Sequence, residues 1–321
     1  MIKYNDIKKL VRDVDSISRN VMSAAVDEAI SIFPLDTLIP ITTIGEDDKM
    51  FEYTPKDREY IFGANGVQPA SCSSTPTDVE TSGGETIKGL THLYEIGYSI
   101  CMNECKPATL EEEIYKKEKA SATALLYMLY QQLWYGVPEL MQYGLLNHPL
   151  IEVLQSPVAK FKGPEQCGSS DGNCGSTKWE HKTPNEIMKE LRSAMRLFTD
   201  PQITMSENAY NNSMGVMDEA LINNGKYGAL RYEIIQDLLS KQKTLGFTGD
   251  ISYFPELDSH PDFNNQDIAI VYDRGSLELT ASDILWRGAD HDLKNVKVFR
   301  QMRTGGLIVN YSDAIKIIVG V

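Results

Sequence analysis

Long apolar stretches are missing from this 321-residue chain. The most apolar run, residues 315–321, is far shorter than the roughly 20 residues that a bilayer-spanning helix requires. A secretory leader pattern is missing too, because residues 1–20 are polar and charged. A soluble protein folded in a cytoplasm, with no membrane partner, is therefore expected. Cysteine is scarce and odd in number, at Cys72, Cys101, Cys105, Cys167 and Cys174. No CxxC pair occurs, so nothing points to a zinc ribbon. Cys167 and Cys174 flank a short Gly-Ser-Asp-Asn loop and could touch, but a reducing compartment favours two free thiols. No Walker loop, nucleophile elbow or dinucleotide fingerprint is present.

Positive charge is also in short supply. The chain carries 31 Lys and Arg against 45 Asp and Glu, a net charge of -14. Residues 27–113 alone hold 17 acidic against 5 basic side chains. A protein that grips nucleic acid across its surface needs the opposite balance. The acidity suits weak contact with DNA or contact with other proteins, and solubility alone accounts for it equally well.

What is present is enough for a sizeable core, since 42% of the residues are hydrophobic, in one large domain or two ordinary ones. Residues 4–33 read as a helix, with Ile7, Leu10, Val11, Val14, Ile17, Val21, Met22 and Ala25 on one stripe and Pro34 as its stop. Leu38-Ile39-Pro40-Ile41 reads as a short strand. Tyr53, Tyr60 and Phe62 suggest strands, residues 63–84 are Gly, Ser, Thr and Pro with few apolar groups, and residues 86–100 return as a strand with Tyr94, Ile96 and Tyr98 on one face. Out, turn and back make a long β-hairpin that cannot bury its own faces. Ordering its backbone costs roughly 1–2 kcal/mol per residue, recoverable only from contacts outside its own domain.

The strongest helix signal follows. Thr109-Leu110-Glu111-Glu112 has the form of a capping box behind Pro107, and the pairs Glu112–Lys116 and Glu113–Lys117 are worth roughly 0.2–0.5 kcal/mol each. The helix should run to Tyr135 and stop at Gly136. Residues 157–182 read as a polar surface insertion. Thr183-Pro184-Asn185-Glu186 opens a second helix whose stripe is Ile187, Leu191, Met195 and Phe198. A third helix is expected over residues 227–243, strands over 251–254 and 268–272, and a β-rich end over 296–321 with a bend or bulge at Gly305-Gly306.

Candidate chemistry is thin. Asp290-His291-Asp292 and Asp258-Ser259-His260-Pro261-Asp262 have metal-ligand composition, but both lie in turn-like polar sequence where such residues are common. Cys101 and Cys105 would share a face if helical and read better as buried thiols. Lys294, Lys297, Arg300 and Arg303 form a basic patch that could meet the acidic hairpin of a neighbouring copy. No catalytic, cofactor-binding or metal site is assigned, and a metal-dependent hydrolase built on the Asp/His clusters stays a distant alternative.

Several segments in order resemble one family. These are an amphipathic N-terminal helix, a short strand, a long polar hairpin and a long helix, then Gly144-Leu145-Leu146-Asn147-His148-Pro149, the helix at 183–198, Arg303-Thr304-Gly305-Gly306-Leu307-Ile308-Val309, Ser312-Asp313-Ala314-Ile315, and Gly320-Val321. Together they resemble the major capsid proteins of tailed double-stranded DNA phages, with the Hong Kong 97-like fold, in the branch close to encapsulin shell proteins. Residues 157–182 depart from that pattern, as does Asn310-Tyr311-Ser312, where a proline is usual.

The resemblance implies an α+β fold. It divides the chain into an N-terminal arm and first strand (1–46), an extended loop (47–98), a peripheral domain with a spine helix and an inserted loop (99–182), an axial domain (183–273) and a return to the peripheral domain (274–321). It implies a non-enzymatic subunit that assembles with itself into pentamers and hexamers of an icosahedral shell around double-stranded DNA, in a virion built in the host cytoplasm. Minor capsid or decoration proteins, a scaffold, a portal and weak contact with packaged DNA are the partners it suggests. An encapsulin-type shell with enzyme cargo is the nearest alternative.

Three expectations follow. No protease trims the N-terminus. Deleting residues 63–84 leaves a folded subunit that makes no stable shell. High salt slows assembly, and replacing Lys297 and Arg300 with Glu impairs it without unfolding the subunit.

Overall fold

The computed structural model describes residues 4–32, 35–56, 85–101, 109–157, 177–182, 184–212, 251–253, 257–291 and 295–321. They form two compact units, each built from discontinuous stretches of chain. Unit 1 takes residues 1–53, 86–149 and 278–308, and unit 2 takes 54–85, 150–277 and 309–321. The expected hairpin tip (63–84), the helix at 227–243, and Tyr60, Phe62, Cys72, Cys105, Cys167, Cys174 and Lys294 lie outside the described residues.

Unit 1 is a helix pair laid on a sheet. Helix α1 (Tyr4–Ile32) buries Val14, Ser18, Ala25 and Ala29, which fall on the face that the apolar spacing anticipates. Its partner α3 (Leu110–Tyr135) has the bounds read from sequence and, at 26 residues, a length of about 39 Å. Both expected ion pairs of its first turns form, Lys116–Glu112 at 2.6 Å and Lys117–Glu113 at 3.2 Å. The capping box does not: Thr109 occupies the cap with helical backbone angles and makes no side-chain cap hydrogen bond. Without that cap, three glutamates in the first turn still favour this end through the helix dipole.

The other end of α3 is closed by the Gly144–Pro149 turn. Gly136 takes φ +59, a conformation that side chains resist, and its N–H returns to Gln132 O at 2.9 Å. The turn then folds back onto the helix. Leu145 N donates to Leu133 O at 2.8 Å, Leu146 N to Trp134 O at 3.0 Å, and Asn147 Nδ2 to Tyr135 O at 2.5 Å. Three carbonyls that a helix end leaves unpaired are thus satisfied.

Residues 35–38, partly assigned above to a strand, instead form one helical turn, α2 (Leu35–Leu38); Pro40 follows, and strand β1 (Ile41–Thr43) starts only after it. Strands β2 (Met50–Tyr53) and β3 (Ile87–Leu90) pair antiparallel, so the limbs of the expected hairpin do meet at its base. The returning strand β4 (His92–Cys101) turns Tyr94, Ile96, Tyr98 and Ile100 to one face, as read, but its partner is β11 (Asn295–Val309) and not the outgoing limb. β11 is the spine of this sheet, pairing also with β10 (Leu285–His291), while β9 (Leu277–Ala281) links β11 to β1.

The expected bend at Gly305-Gly306 is absent, because β11 runs through both residues as one strand. The glycines serve close approach. A Cβ on Gly305 would meet Thr280 Oγ1, and one on Gly306 would lie 2.7 Å from the Phe51 ring.

Unit 2 is a five-stranded sheet in the order β5 (Glu152–Gln155), β12 (Ile315–Val319), β8 (Ile268–Asp273), β6 (Pro201–Met205), β7 (Ile251–Tyr253). Strand β8 is buried at every position, which is why it reads as an unbroken apolar run. Helix α4 (Pro184–Ala194) packs Ile187 and Leu191 into a cluster with Ile203, Val271, Ile318 and Val321. Each such side chain contributes about 1.5–3 kcal/mol on burial.

Two expectations change here. The segment 274–321 does not return as one piece: β12 leaves β9–β11 and inserts between β5 and β8. Its Ile315, Ile317 and Ile318 are buried, and they match the doubly covered centre of this sheet. The supposed surface insertion also ends in the core, since Trp179 is fully buried and Lys182 is enclosed beside Glu190 and Ser156.

Candidate functional site

The described residues offer two exposed apolar groups and a buried polar network. In unit 1 the end of α1, β1 and the outer face of α3 leave Ile30, Ile32, Ile41 and Tyr127 exposed, Tyr127 to 50%. Ile30 and Ile41 line a cavity of about 240 Å³ with Val26, Leu35, Leu126, Leu129, Ile284 and Met302 among others, while Ile32 and Tyr127 border a separate, more open depression with Ala120 and Ala124. A second group stands at the base of the β2–β3 pair. Met50 and Leu90 face each other in register and Met141 lies close by, with Met50 and Met141 more than half exposed. Large apolar groups gathered on a surface mark contact with another molecule.

Charge borders the first surface. Lys119 pairs with Glu28 across the two helices, and the Tyr115 hydroxyl donates to Glu28 at 2.5 Å. The hydrogen bond from Lys119, then that from Tyr115, holds the Glu28 carboxyl below its usual range.

The same unit contains a buried polar bolt. Arg300, on β11, is 1% exposed and binds Glu118 of α3 through two nitrogens, with Nε to Oε2 at 2.9 Å. Arg300 Nη2 also donates to Ser18 Oγ of α1 at 2.5 Å, and Ser18 in turn donates to Glu118 at 2.6 Å. Tyr98 of β4 donates to the same carboxylate at 2.5 Å, so four elements meet on one ion pair. Burial, and then the hydrogen bond to Glu118, push the Tyr98 phenol well up.

This arrangement corrects the surface-patch reading of Lys297, Arg300 and Arg303. On a strand, positions three apart point to opposite faces. Lys297 is exposed, Arg300 is interior, and half-buried Arg303 donates to Glu46 O at 2.6 Å and Thr91 Oγ1 at 3.0 Å. Grouping them by sequence proximity missed the alternation.

Of the remaining candidates, Asp292 lies outside the described residues. Asp290 sits on β10 directly opposite Lys297 in the β10–β11 register. His260 is buried in a tight turn where its N–H meets Gln266 O at 3.0 Å and its Nδ1 accepts from Asp262 N at 3.3 Å. Asp258 accepts from Asn208 N at 3.1 Å. No group of three or more His, Cys, Asp or Glu side chains placed to hold a metal occurs among the described residues. Cys101 closes strand β4, so it shares no helix face with Cys105; it is half-buried and free.

Sequence reasoning also missed a cluster around the Gly144–Pro149 turn. His148 is buried, 3% exposed, with Nε2 lying 2.5 Å from the Tyr53 hydroxyl and the Tyr143 ring edge-on at 5.8 Å. Burial lowers its pKa from 6.5 to about 4, and burial pushes the Tyr53 phenol up. The signal available was a histidine inside an otherwise apolar turn motif.

No family model matches the chain. No curated protein matches it either. Solved structures do. The capsid of a native GTA particle aligns at TM-score 0.55 with 9% identity over 89% of each chain. The capsid of Myoviridae phage XM1 aligns at 0.52 with 12% identity over 89% of this chain and 91% of that one. A virus-like particle from Pyrococcus furiosus aligns at 0.50 with 12% identity, over 93% of this chain and 98% of the other. At such low identity the agreement concerns architecture, and it spans nearly the whole length of each partner: the chain has the Hong Kong 97-like capsid fold.

Proposed function

We propose that this protein is a major capsid protein, a structural subunit that assembles with copies of itself into an icosahedral shell. The observation that carries the reading is end-to-end agreement of fold with subunits of capsids and a virus-like particle. The exposed Ile30, Ile32, Ile41 and Tyr127 of unit 1 support it, because a solitary subunit gains nothing by leaving them in water. On this reading unit 1 serves as the peripheral domain, with α3 as its spine, and unit 2 as the axial domain at the centre of pentamers and hexamers. The β2–β3 pair starts the extended loop of residues 47–98, which lies over a neighbouring copy. The shell encloses double-stranded DNA, touches it weakly, and is completed by a portal and by scaffold or decoration proteins in the host cytoplasm. Catalysis has no part in this role.

Electron microscopy of the purified protein tests the proposal. Closed particles containing nucleic acid are expected. Particles holding a protein cargo and no nucleic acid would assign the chain to a nanocompartment shell, and a monomer under all conditions would overturn the shell reading. Removing residues 63–84 should then abolish stable particles while the circular dichroism of the subunit is retained.

A further inference from the structure

Strands β1 and β4 belong to the main sheet of unit 1, while β2 and β3 form a separate two-stranded pair. The chain therefore crosses between sheet and pair twice. On the way out, β1 is paired with β9 as far as Thr43, and residues 44–49 lead to Met50, the first residue of β2. On the return, β3 ends at Leu90, Thr91 alone makes the crossing, and β4 is paired with β11 from His92 onward. Each residue of a crossing has two soft backbone dihedrals, so small rotations there could swing the pair against the sheet.

Arg303 of β11 holds both crossings. Its Nε donates to Glu46 O on the outward one at 2.6 Å, and its Nη1 donates to Thr91 Oγ1 on the return at 3.0 Å. The Thr91 hydroxyl donates onward to Asp48 O, and Thr91 N meets Lys49 O at 3.0 Å, so the two crossings are also tied to each other. Asp48 Oδ2 accepts from Gly45 N at 2.7 Å and shapes the turn that presents Glu46 O. The root of the guanidinium is fixed as well, since Arg303 N donates to Ser282 Oγ at 2.9 Å and Arg303 O accepts from Ser282 N at 2.7 Å. A planar guanidinium offers donors in fixed directions to acceptors on two segments, whereas an ammonium is a single point of charge. Its charge also makes each bond stronger than a neutral one. We propose that Arg303 is a positioning residue, a bracket that sets the direction in which the β2–β3 pair leaves the sheet and so where the extended loop meets a neighbouring copy. The part about the neighbouring copy rests on the capsid reading above; the bracket itself does not.

Spin labels at the exposed positions Lys88 on β3 and Lys116 on α3 report the direction of the pair as one distance. They are attached by a chemistry that spares cysteine, in full chains diluted with unlabelled copies so that only distances within one chain are read. The unaltered protein and Thr91→Ser, which keeps the hydroxyl, should give one narrow distance. Arg303→Met keeps the stem without the fork, Arg303→Lys keeps the charge without the fork, and Thr91→Val loses the bonded hydroxyl. All three should lose the single narrow distance while helical circular dichroism is retained. A contact that merely stabilises the fold would instead lower the urea midpoint and leave the distance narrow. In electron micrographs the same three variants should lose the uniform particles that the unaltered protein forms. A narrow distance in Arg303→Met or Arg303→Lys overturns the bracket, and uniform particles from a variant whose distance has broadened overturn its part in assembly. If the unaltered protein forms no particles, the capsid reading fails while the distances still decide the bracket. Should Arg303→Met not fold, Thr91→Val against Thr91→Ser decides alone: broad against narrow supports the bracket, and two narrow distances overturn it.

Discussion

Unit 1 fastens α1 through a buried ion pair on which four elements meet, whereas unit 2 closes mainly around hydrocarbon, with the buried pair Lys182–Glu190 among its contacts. In unit 1, Ser18 of α1, Tyr98 of β4 and Glu118 of α3 converge on Arg300 of β11, and every contact is a hydrogen bond of fixed direction. In unit 2, α4, β12 and the C-terminal Val321 bury Ile187, Leu191 and Ile318 in one cluster with Trp179, whose indole N–H finds no hydrogen-bond partner among the described residues. Apolar packing is tolerant of small shifts, while a directional polar network accepts one arrangement. The network therefore holds α1 to a defined register on α3. A buried ion pair is weak evidence for stability in itself, since desolvation offsets its attraction. Its effect is revealed by breaking it.

Replacing Arg300 with Glu should therefore have the largest effect. Removing one partner of a buried pair costs about 3–5 kcal/mol, and a second carboxylate beside Glu118 adds repulsion to that loss. The subunit should be largely unfolded or lose the α1 contact, seen as reduced helical circular dichroism and early urea unfolding. A fully folded Arg300→Glu subunit would mean that the bolt is not closed. This reverses the expectation from sequence, in which Arg300 was a surface charge whose reversal leaves the fold intact.

Trp179→Ala in unit 2 comes next, at about 3–5 kcal/mol for the cavity left behind. Trp179→Phe sharpens the contrast. It removes a buried donor that has no partner among the described residues and keeps most of the ring volume, so it should cost under about 1.5 kcal/mol. Urea midpoints for the two variants check the pair. A large loss in Trp179→Phe would show that the indole N–H is satisfied and that unit 2 also depends on a polar contact there.

What the sequence made legible was local. Helix α3 was read to its last residue because a proline, three glutamates and a terminal glycine act within a turn or two of the boundary. The face of β4 was legible from simple alternation. Long-range facts were hidden. Gly305-Gly306 looks like a break, and only the positions of Thr280 and Phe51 reveal that it is a place of close contact. β12 has no mark that assigns it to β5 and β8 in preference to β11. Trp179 sits in a stretch so polar that nothing nearby foretells its burial. The cavity that Ile30 and Ile41 line was likewise invisible, because it exists only where α1, β1 and α3 are brought together.

Lys297 supplies the smallest effect and isolates charge on the surface from charge in the core. It lies three residues from Arg300 on the same strand, yet it is exposed, and Asp290 stands directly opposite it on β10. Opposite charges facing each other across two strands contribute roughly 0.2–1 kcal/mol, and like charges there cost a similar amount. Lys297→Glu should thus lower the urea-derived stability by about 1 kcal/mol or less, far below the effect of Arg300→Glu. The charge swap Asp290→Lys with Lys297→Glu restores an attractive pair and should recover most of that loss. Assembly followed by light scattering then separates two roles. If Lys297 also meets the acidic region of a neighbouring copy, Lys297→Glu slows assembly at low salt, the deficit shrinks at high salt where exposed charges are screened, and the charge swap does not repair it. If assembly of the single variant and of the swap both match the unaltered protein at every salt concentration, the only measurable role of Lys297 is its pairing with Asp290 within the sheet.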